Sequence, residues 1–266
     1  MDAIFILSEP LLFLVCLFGV AIVALIGVTM LWLLRRALRQ SQASSLPPAF
    51  TTAIVFPAAI VLGLLVNDTW RRYMDAQDVV QQEAVLIRSI WTESAQLKPA
   101  QMAVLRQNLS ADVRAQVKND WALFQSGRTP GADQALQNLL QTVHLWSAEA
   151  LAKTPQTQGR AERIATQLME LQKLRDKRIL LSLGKMDAPK WWVVFCLLLS
   201  CILVMTEITL HSRSQTLMIC AFFTLGSGSL VYMLATHERP FVGGTGVSAQ
   251  PIMKAFDGAS PSAGTS

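Results

Sequence analysis

The stretch Leu11–Leu34, LLFLVCLFGVAIVALIGVTMLWLL, contains no Asp, Glu, Lys or Arg. A helix needs roughly 20 apolar residues to cross the hydrocarbon of a bilayer, and a soluble helix is seldom apolar on every side over such a length. Three further runs share the property: residues 49–66, 191–206 and 214–236. Lipid is therefore the expected solvent for four helices. The fold class that follows is all-α: an integral membrane protein with four transmembrane helices in two pairs, and a helical extramembrane insert between helices 2 and 3. Residues 1–66 then carry the first pair, 67–190 the insert, 191–236 a hairpin of helices 3 and 4, and 237–266 a short, partly disordered tail.

Composition agrees. The chain is 52% hydrophobic and 15% charged, a skew concentrated in the four runs. The net charge of +5 does not point to nucleic acid, because no recognition motif accompanies it. The basic residues cluster beside membrane ends, where they set topology and meet anionic lipid. All four cysteines (Cys16, Cys196, Cys201, Cys220) sit inside apolar runs, as small hydrophobes rather than a disulfide framework. His144, His211 and His237 show no metal-ligand spacing, so neither metal nor cofactor is expected. The start, Met1-Asp2-Ala3-Ile4-Phe5, lacks a basic n-region, and Arg35-Arg36 follow the first run directly. That pattern is a retained helix rather than a cleaved signal.

Breaks divide the rest. Helix 1 spans about Pro10–Leu34, and Leu46-Pro47-Pro48 ends the short link after it. Helix 2 covers about Phe50–Val66, with Pro57 inside it as a kink. Nothing punctuates the chain from there to Pro99, so helix 2 is expected to run well beyond the bilayer. Trp70, Tyr73, Gln77, Val80, Ala84, Ile87, Trp91 and Ser94 fall on one side of it at helical spacing. A second soluble helix opens at Pro99 with the stripe Met102, Leu105, Leu109, Val113, Val117, Trp121 and Phe124. A turn at Gly127–Gly131 precedes a third, about Asp133–Lys153. Thr154-Pro155 precedes a fourth, about Gln158–Leu183, with Ile164, Leu168, Leu171, Leu174 and Ile179 inward. These amphipathic helices suffice for a bundle. Helix 3 begins at Lys190-Trp191-Trp192, a snorkelling lysine on an aromatic belt. His211–Gln215 is too short a link for anything but an antiparallel hairpin with helix 4.

Sidedness follows from charge. Asp2 and Glu9 precede helix 1, and Arg35, Arg36 and Arg39 follow it. The positive-inside rule puts the first link in the cytoplasm and the insert outside. Arg71, Arg72, Lys177, Arg178, Lys185 and Lys190 at the insert's ends oppose this, but long segments count less in the rule.

Few residues suggest chemistry. Glu207 is the only acidic residue within an apolar membrane stretch, near the end of helix 3, and such residues often mark ion or proton paths. An interfacial glutamate paired with Arg213 on the short link is the plainer alternative. Gly226-Ser227-Gly228-Ser229 suits close helix packing, or a pore lined by hydroxyls. Glu83 lies beside an apolar stripe; an exposed glutamate is the plainer reading, and a buried one needs Arg88 or a basic residue of the fourth soluble helix. No phosphate-cradling loop, zinc pair, nucleophile elbow or kinase motif is present, so an enzyme is not expected.

Two stretches carry a resemblance. One is Trp70 through Glu83-Ala84 on the long helix. The other is Glu238-Arg239-Pro240-Phe241-Val242-Gly243, with Val247-Ser248 and Pro251 beyond. Together with the two-insert-two layout, they make the chain resemble the bestrophin-like domain family of bacterial membrane proteins. The resemblance implies a bacterial inner membrane and a distant likeness to bestrophins, pentameric anion channels whose second membrane helix lines the pore. Phe56, Pro57, Ile60 and Leu64 would then bend and line a hydrophobic neck that gates by dewetting. The likeness also implies a cytosolic insert, opposite to the charge argument. Read physically, Arg239-Pro240-Phe241 is a membrane-exit clamp: proline stops helix 4, Phe241 sits at the interface, and Arg239 faces headgroups, Glu238 or Glu83.

The function expected on this basis is a homo-oligomeric channel for chloride or other anions in the lipid bilayer. A non-conducting interaction or sensory protein using the insert is the alternative. A proton-coupled transporter built on Glu207 is weaker, since four helices are few and no internal repeat is evident.

Overall fold

The computed structural model describes residues 9–37, 48–125, 141–143, 145, 155–184, 188–209, 212–242 and 246–259. It is helical, with no strand among the described residues. The elements are α1 (Glu9–Ala37), α2 (Pro48–Ser94), α3 (Pro99–Ala115), a π turn (Gln116–Asp120), α4 (Trp121–Gln125), α5 (Pro155–Leu183), α6 (Ala188–Thr209), α7 (Arg213–Glu238) and α8 (Gln250–Ala259). Helices α1, α2, α6 and α7 are long and apolar enough to cross a membrane. The protein is therefore an all-α integral membrane protein with four spans. The third soluble helix and the Gly127–Gly131 turn fall outside the described residues, apart from helical Gln141–Val143 and Leu145.

The chain divides into two compact units: Met1–Arg72 with Lys185–Arg239, and Tyr73–Gly184 with Pro240–Ser266. The first holds the four spans. In it α1 packs on α6 and α7, and glycines set how closely. A Cβ at Gly27 would lie 2.7 Å from Ile202 Cγ2, and one at Gly228 would lie 2.5 Å from Leu17 Cδ2 and 3.2 Å from the Leu17 Cα. Small residues let backbones approach where lipid supplies no hydrophobic drive between helices. Gly226 has open space where its Cβ would be, so only Gly228 of the Gly226–Ser229 motif serves packing on α1. Val20, Leu62, Val194, Leu198 and Leu234 form the main apolar contact layer. Phe13 meets Tyr232 edge-on at 5.2 Å.

The second unit is a helical bundle. Its core gathers Val80, Ile87 and Ile90 of α2, Leu105 and Leu109 of α3, Ile164, Leu168 and Leu171 of α5, and Val143. Nothing between Val66 and Ser94 breaks α2, which is why one helix serves both units. Pro99 stands at the start of α3 after Lys98, whose ψ of 145° is extended, as a pre-proline residue prefers. The progression Leu109, Val113, Val117, Trp121 advances four residues at a time, faster than a 3.6-residue turn. The π turn at Gln116–Asp120 absorbs the excess and keeps Trp121 and Phe124 inward. The residues beyond Pro240 belong to this bundle: Phe241, Val247, Ala249 and Ile252 are in its core. The segment that composition presents as a tail thus includes a packed helix, α8.

Substitution Gly228→Ala is expected to lower the thermal stability of the detergent-solubilised protein by about 1–3 kcal/mol, the usual range for overpacking. Gly226→Ala is expected to leave it within about 0.5 kcal/mol. Unfolding curves of the two variants side by side make the check.

Candidate functional site

Three helices of the bundle bring polar residues to core positions at the same level. On α2 the buried series runs Ala76, Val80, Glu83, Ile87, Ile90 and Ser94; on α3 it runs Leu105, Leu109 and Asp112, followed by Gln116 in the π turn; on α5 it runs Ile164, Leu168, Leu171, Arg175 and Arg178. Each is spaced alternately by four and three residues, the pattern of helices packed side by side. Glu83, Asp112, Gln116, Arg175 and Arg178 replace apolar side chains in that pattern.

They pair with one another, although Glu83 Oε1 accepts no hydrogen bond among the described residues. Arg178 Nη1 donates to Glu83 Oε2 at 2.5 Å, with both side chains at most 1% exposed. Arg178 Nη2 stands 3.6 Å from Asp120. Arg175 makes a two-pronged contact with Asp112, at 3.2 Å to Oδ1 and 2.5 Å to Oδ2. With its carboxamide oxygen turned toward the two arginines, Gln116 accepts from Arg178 Nη2 at 2.7 Å and from Arg175 Nε at 3.0 Å. The π turn carries both Gln116 and Asp120 into this layer. The Arg178 guanidinium also lies 4.7 Å from the Trp121 ring centre and 5.5 Å from that of Phe124, within cation–π range.

The aromatic side of the layer reaches the chain after α7. Phe124 stacks on Phe241 at 5.2 Å and Trp121 meets it edge-on at 6.5 Å. Trp121 Nε1 donates to the Val247 carbonyl at 3.0 Å, and the Val247 amide donates to the Pro240 carbonyl at 2.6 Å. Glu83 of the first sequence stretch and Pro240, Phe241 and Val247 of the second are therefore joined through Arg178, Trp121 and Phe124. Phe241 is 2% exposed, so it is a core residue of the bundle and not the interfacial anchor that its position after a membrane helix suggests. Glu83 is buried with Arg178 of the fourth soluble helix as partner, which leaves no need for Arg88 or Arg239.

In the membrane unit Trp70 lies over His237, ring centres 4.9 Å apart. Leu65, Asp68, Thr69, Arg72, Lys190 and the buried Glu238 line a small cavity there. Glu207 bonds to Arg35 of α1, both partly buried. Arg213 is not the partner the short link suggests: a residue 172 positions away in sequence takes that role because α1 packs beside α6. The Glu207 charge is compensated within the helix group.

On α2, Phe56, Ile60 and Leu64 are 63%, 48% and 63% exposed, and Pro57 beside them is exposed too. Ala58, Leu62 and Thr69 form the buried side of the same helix. Among the described residues no three His, Cys, Asp or Glu side chains converge as a metal site would need.

A bestrophin-like domain profile matches residues 18–252. The chain belongs to the bestrophin-like domain family. The bestrophin-like fold is also that of solved structures. An aspartate-to-alanine variant of a bacterial bestrophin homologue from Klebsiella pneumoniae superposes with a TM-score of 0.66 at 14% identity, covering 92% of this chain and 96% of that one. A leucine-to-threonine variant of such a homologue gives 0.63 at 12% identity, over 93% and 97%. A crystal structure described as a membrane protein gives 0.64 at 12% identity, over 93% and 96%. Likeness at this identity is one of fold. No curated protein sequence matches the chain.

Burial of Glu83 pushes its carboxyl up to about 7, the opposing attraction of Arg178 and Arg175 being the smaller effect. A carboxyl raised on folding binds its proton more tightly in the native state. Its contribution is complete below the unfolded value near 4.5 and is lost as pH rises through 7. Bundle stability is therefore expected to fall between pH 5 and 8, and Glu83→Gln to flatten that slope. Chemical denaturation at both pH values, wild type against variant, is the measurement.

Proposed function

We propose that this bestrophin-like protein assembles as a homo-oligomeric channel in the bilayer, passes chloride or other small anions, and lines its pore with α2. The observation that carries the reading is the coverage of the spans. Within one chain only 11% of the apolar window of α2 is buried, against 28% for α1, 39% for α6 and 17% for α7. The apolar side chains Phe56, Ile60 and Leu64 project from the uncovered side, next to Pro57 inside the helix. Several copies bringing this side to a common axis form a neck of rings that wets only when it widens. Membership of the bestrophin-like family and the fold shared with a bacterial bestrophin homologue support the channel reading. No catalytic residue is assigned.

Purified protein in liposomes is expected to pass chloride, and Ile60→Ala with Leu64→Ala to raise the flux severalfold. Phe18→Ala, exposed on α1, is expected to leave it unchanged. A silent wild-type protein across pH and calcium concentration would remove the channel reading.

Sidedness also belongs to this proposal. Pairing of Arg35 with Glu207 takes one charge from the cluster that places the first link inside. Arg36, Arg39 and Arg213 are left there, against Arg71, Arg72, Lys185, Lys190 and Arg239 at the insert end. With the charge bias reduced, the bestrophin likeness supports the opposite side to the one the first link suggests, and we propose a cytosolic insert in a bacterial inner-membrane protein. A phosphatase fused after Gln40 is expected to be active, as it is only outside the cytoplasm; an inactive phosphatase with an active cytoplasmic reporter at the same position would reverse the assignment.

A further inference from the structure

We propose that Arg71 sets the charge preference of the pore, as the first ring of charge beyond the apolar neck. The inference rests on the reading of α2 as the pore helix. Its own support is the angular position of Arg71. The buried side of α2 in the membrane unit is defined by Ala58, Leu62 and Thr69. At about 100° per residue these three lie within roughly 40° of one another, on the side opposite Ile60. Arg71 follows Ile60 by eleven residues, which returns it to within about 20° of the same direction. It is exposed and stands about 10 Å along the helix from Leu64.

Arg72 is the control built into the same turn. It sits about 100° away around the helix, bonds to Asp68 at 3.3 Å and lines the small cavity with Lys190 and Glu238. Its charge is thus spent beside two carboxylates on the packed side, whereas Arg71 faces the direction of Phe56, Ile60 and Leu64. Between Phe56 and Arg71 no other charged residue occupies that direction: Asp68 falls nearer the cavity, and Asn67 is neutral. The next acids on the exposed side, Asp75 and Asp78, come about 6 and 10 Å further along; Asp75, one turn on, offsets part of the Arg71 charge, and Arg71 remains the first charge met beyond the neck. One guanidinium per copy, converging at a narrow mouth with low-dielectric walls, concentrates anions and repels cations.

The test is the reversal potential of reconstituted protein in a potassium chloride gradient. Arg71→Glu is expected to lower the chloride-to-potassium permeability ratio on the order of tenfold, and Arg71→Gln to give an intermediate value. Arg72→Glu is expected to stay near wild type. Arg71→Cys supplies a second reading on folded, conducting protein: a cationic thiol reagent is expected to restore chloride preference and an anionic one to abolish it, with no response from wild type. An unchanged ratio in conducting Arg71→Glu, or modification without a change of ratio, overturns the assignment of Arg71 while leaving the pore reading intact. A wild-type protein that conducts nothing overturns the pore reading itself.

Discussion

A charge placed where a leucine would ordinarily sit organises the extramembrane bundle. Arg178 occupies a core position of α5 and is held by Glu83 from α2, by Asp120 at the end of the π turn, and by the Gln116 carboxamide when its oxygen faces the guanidinium. Burying an ion pair costs several kcal/mol per ion in desolvation, and the mutual attraction offsets this only when the remaining donors and acceptors are satisfied. An apolar layer of equal volume would hold such a bundle at least as well. What the ionic layer adds is uniqueness. Sliding α5 by one turn against α2 would place Arg178 against Ile87 or Val80 and take its buried guanidinium away from the buried Glu83 carboxyl. Leucine at the same positions tolerates that slip; arginine and glutamate do not.

The same layer explains why the chain returns to the bundle after its last membrane helix. Trp121 and Phe124 cover the Arg178 guanidinium on one side, and Phe241 closes over both aromatic rings. The polypeptide that supplies Phe241 is fixed by the bond from Trp121 Nε1 to the Val247 carbonyl and by the Val247–Pro240 backbone bond. A cation over aromatic faces gains most when water is excluded, and the segment around Phe241 excludes it. Proline at 240 therefore does two things: it ends α7 and it directs the following residues into a core.

Much of this was legible in the residues. The four spans follow from apolar run length, and the unbroken α2 follows from the absence of Gly and Pro after Gly63. The burial of Glu83 was also within reach, because it sits on the four-and-three spacing of Val80, Ile87 and Ile90. The corresponding signal on α5 was hidden by hydrophobicity: Leu174 and Ile179 look like the inward residues, while the spacing from Ile164, Leu168 and Leu171 continues through Arg175 and Arg178. The arginines stand out by their spacing and are invisible by hydrophobicity. The partner of Glu207 was not legible, since sequence proximity favours Arg213 and only the packing of α1 beside α6 brings Arg35 to it. Phe241 misled for a related reason. An aromatic residue just past a membrane helix has two chemically equivalent places to go, the headgroup region or a protein core, and one sequence does not distinguish them.

The two sides of α2 now carry different burdens. Its inner side is committed within the chain, by Leu62 against Val20, Val194 and Leu198 among the spans and by Glu83 and Ile87 in the bundle. Helices α1, α6 and α7 approach one another as closely as Gly27 and Gly228 allow, so they already have the protein contacts that small residues provide in lipid. Helix α2 has no comparable close approach: a Cβ at Gly63 would meet nothing within 4 Å. Lipid alone would accept its outer side. Yet lipid gives no reason for a proline beside Phe56, or for an exposed arginine to fall on the direction of Ile60 just past the apolar segment. The proposed axis shared with other copies would account for all three features at once: Pro57 would shape the neck, the apolar rings would close it and the guanidinium would mark where water begins.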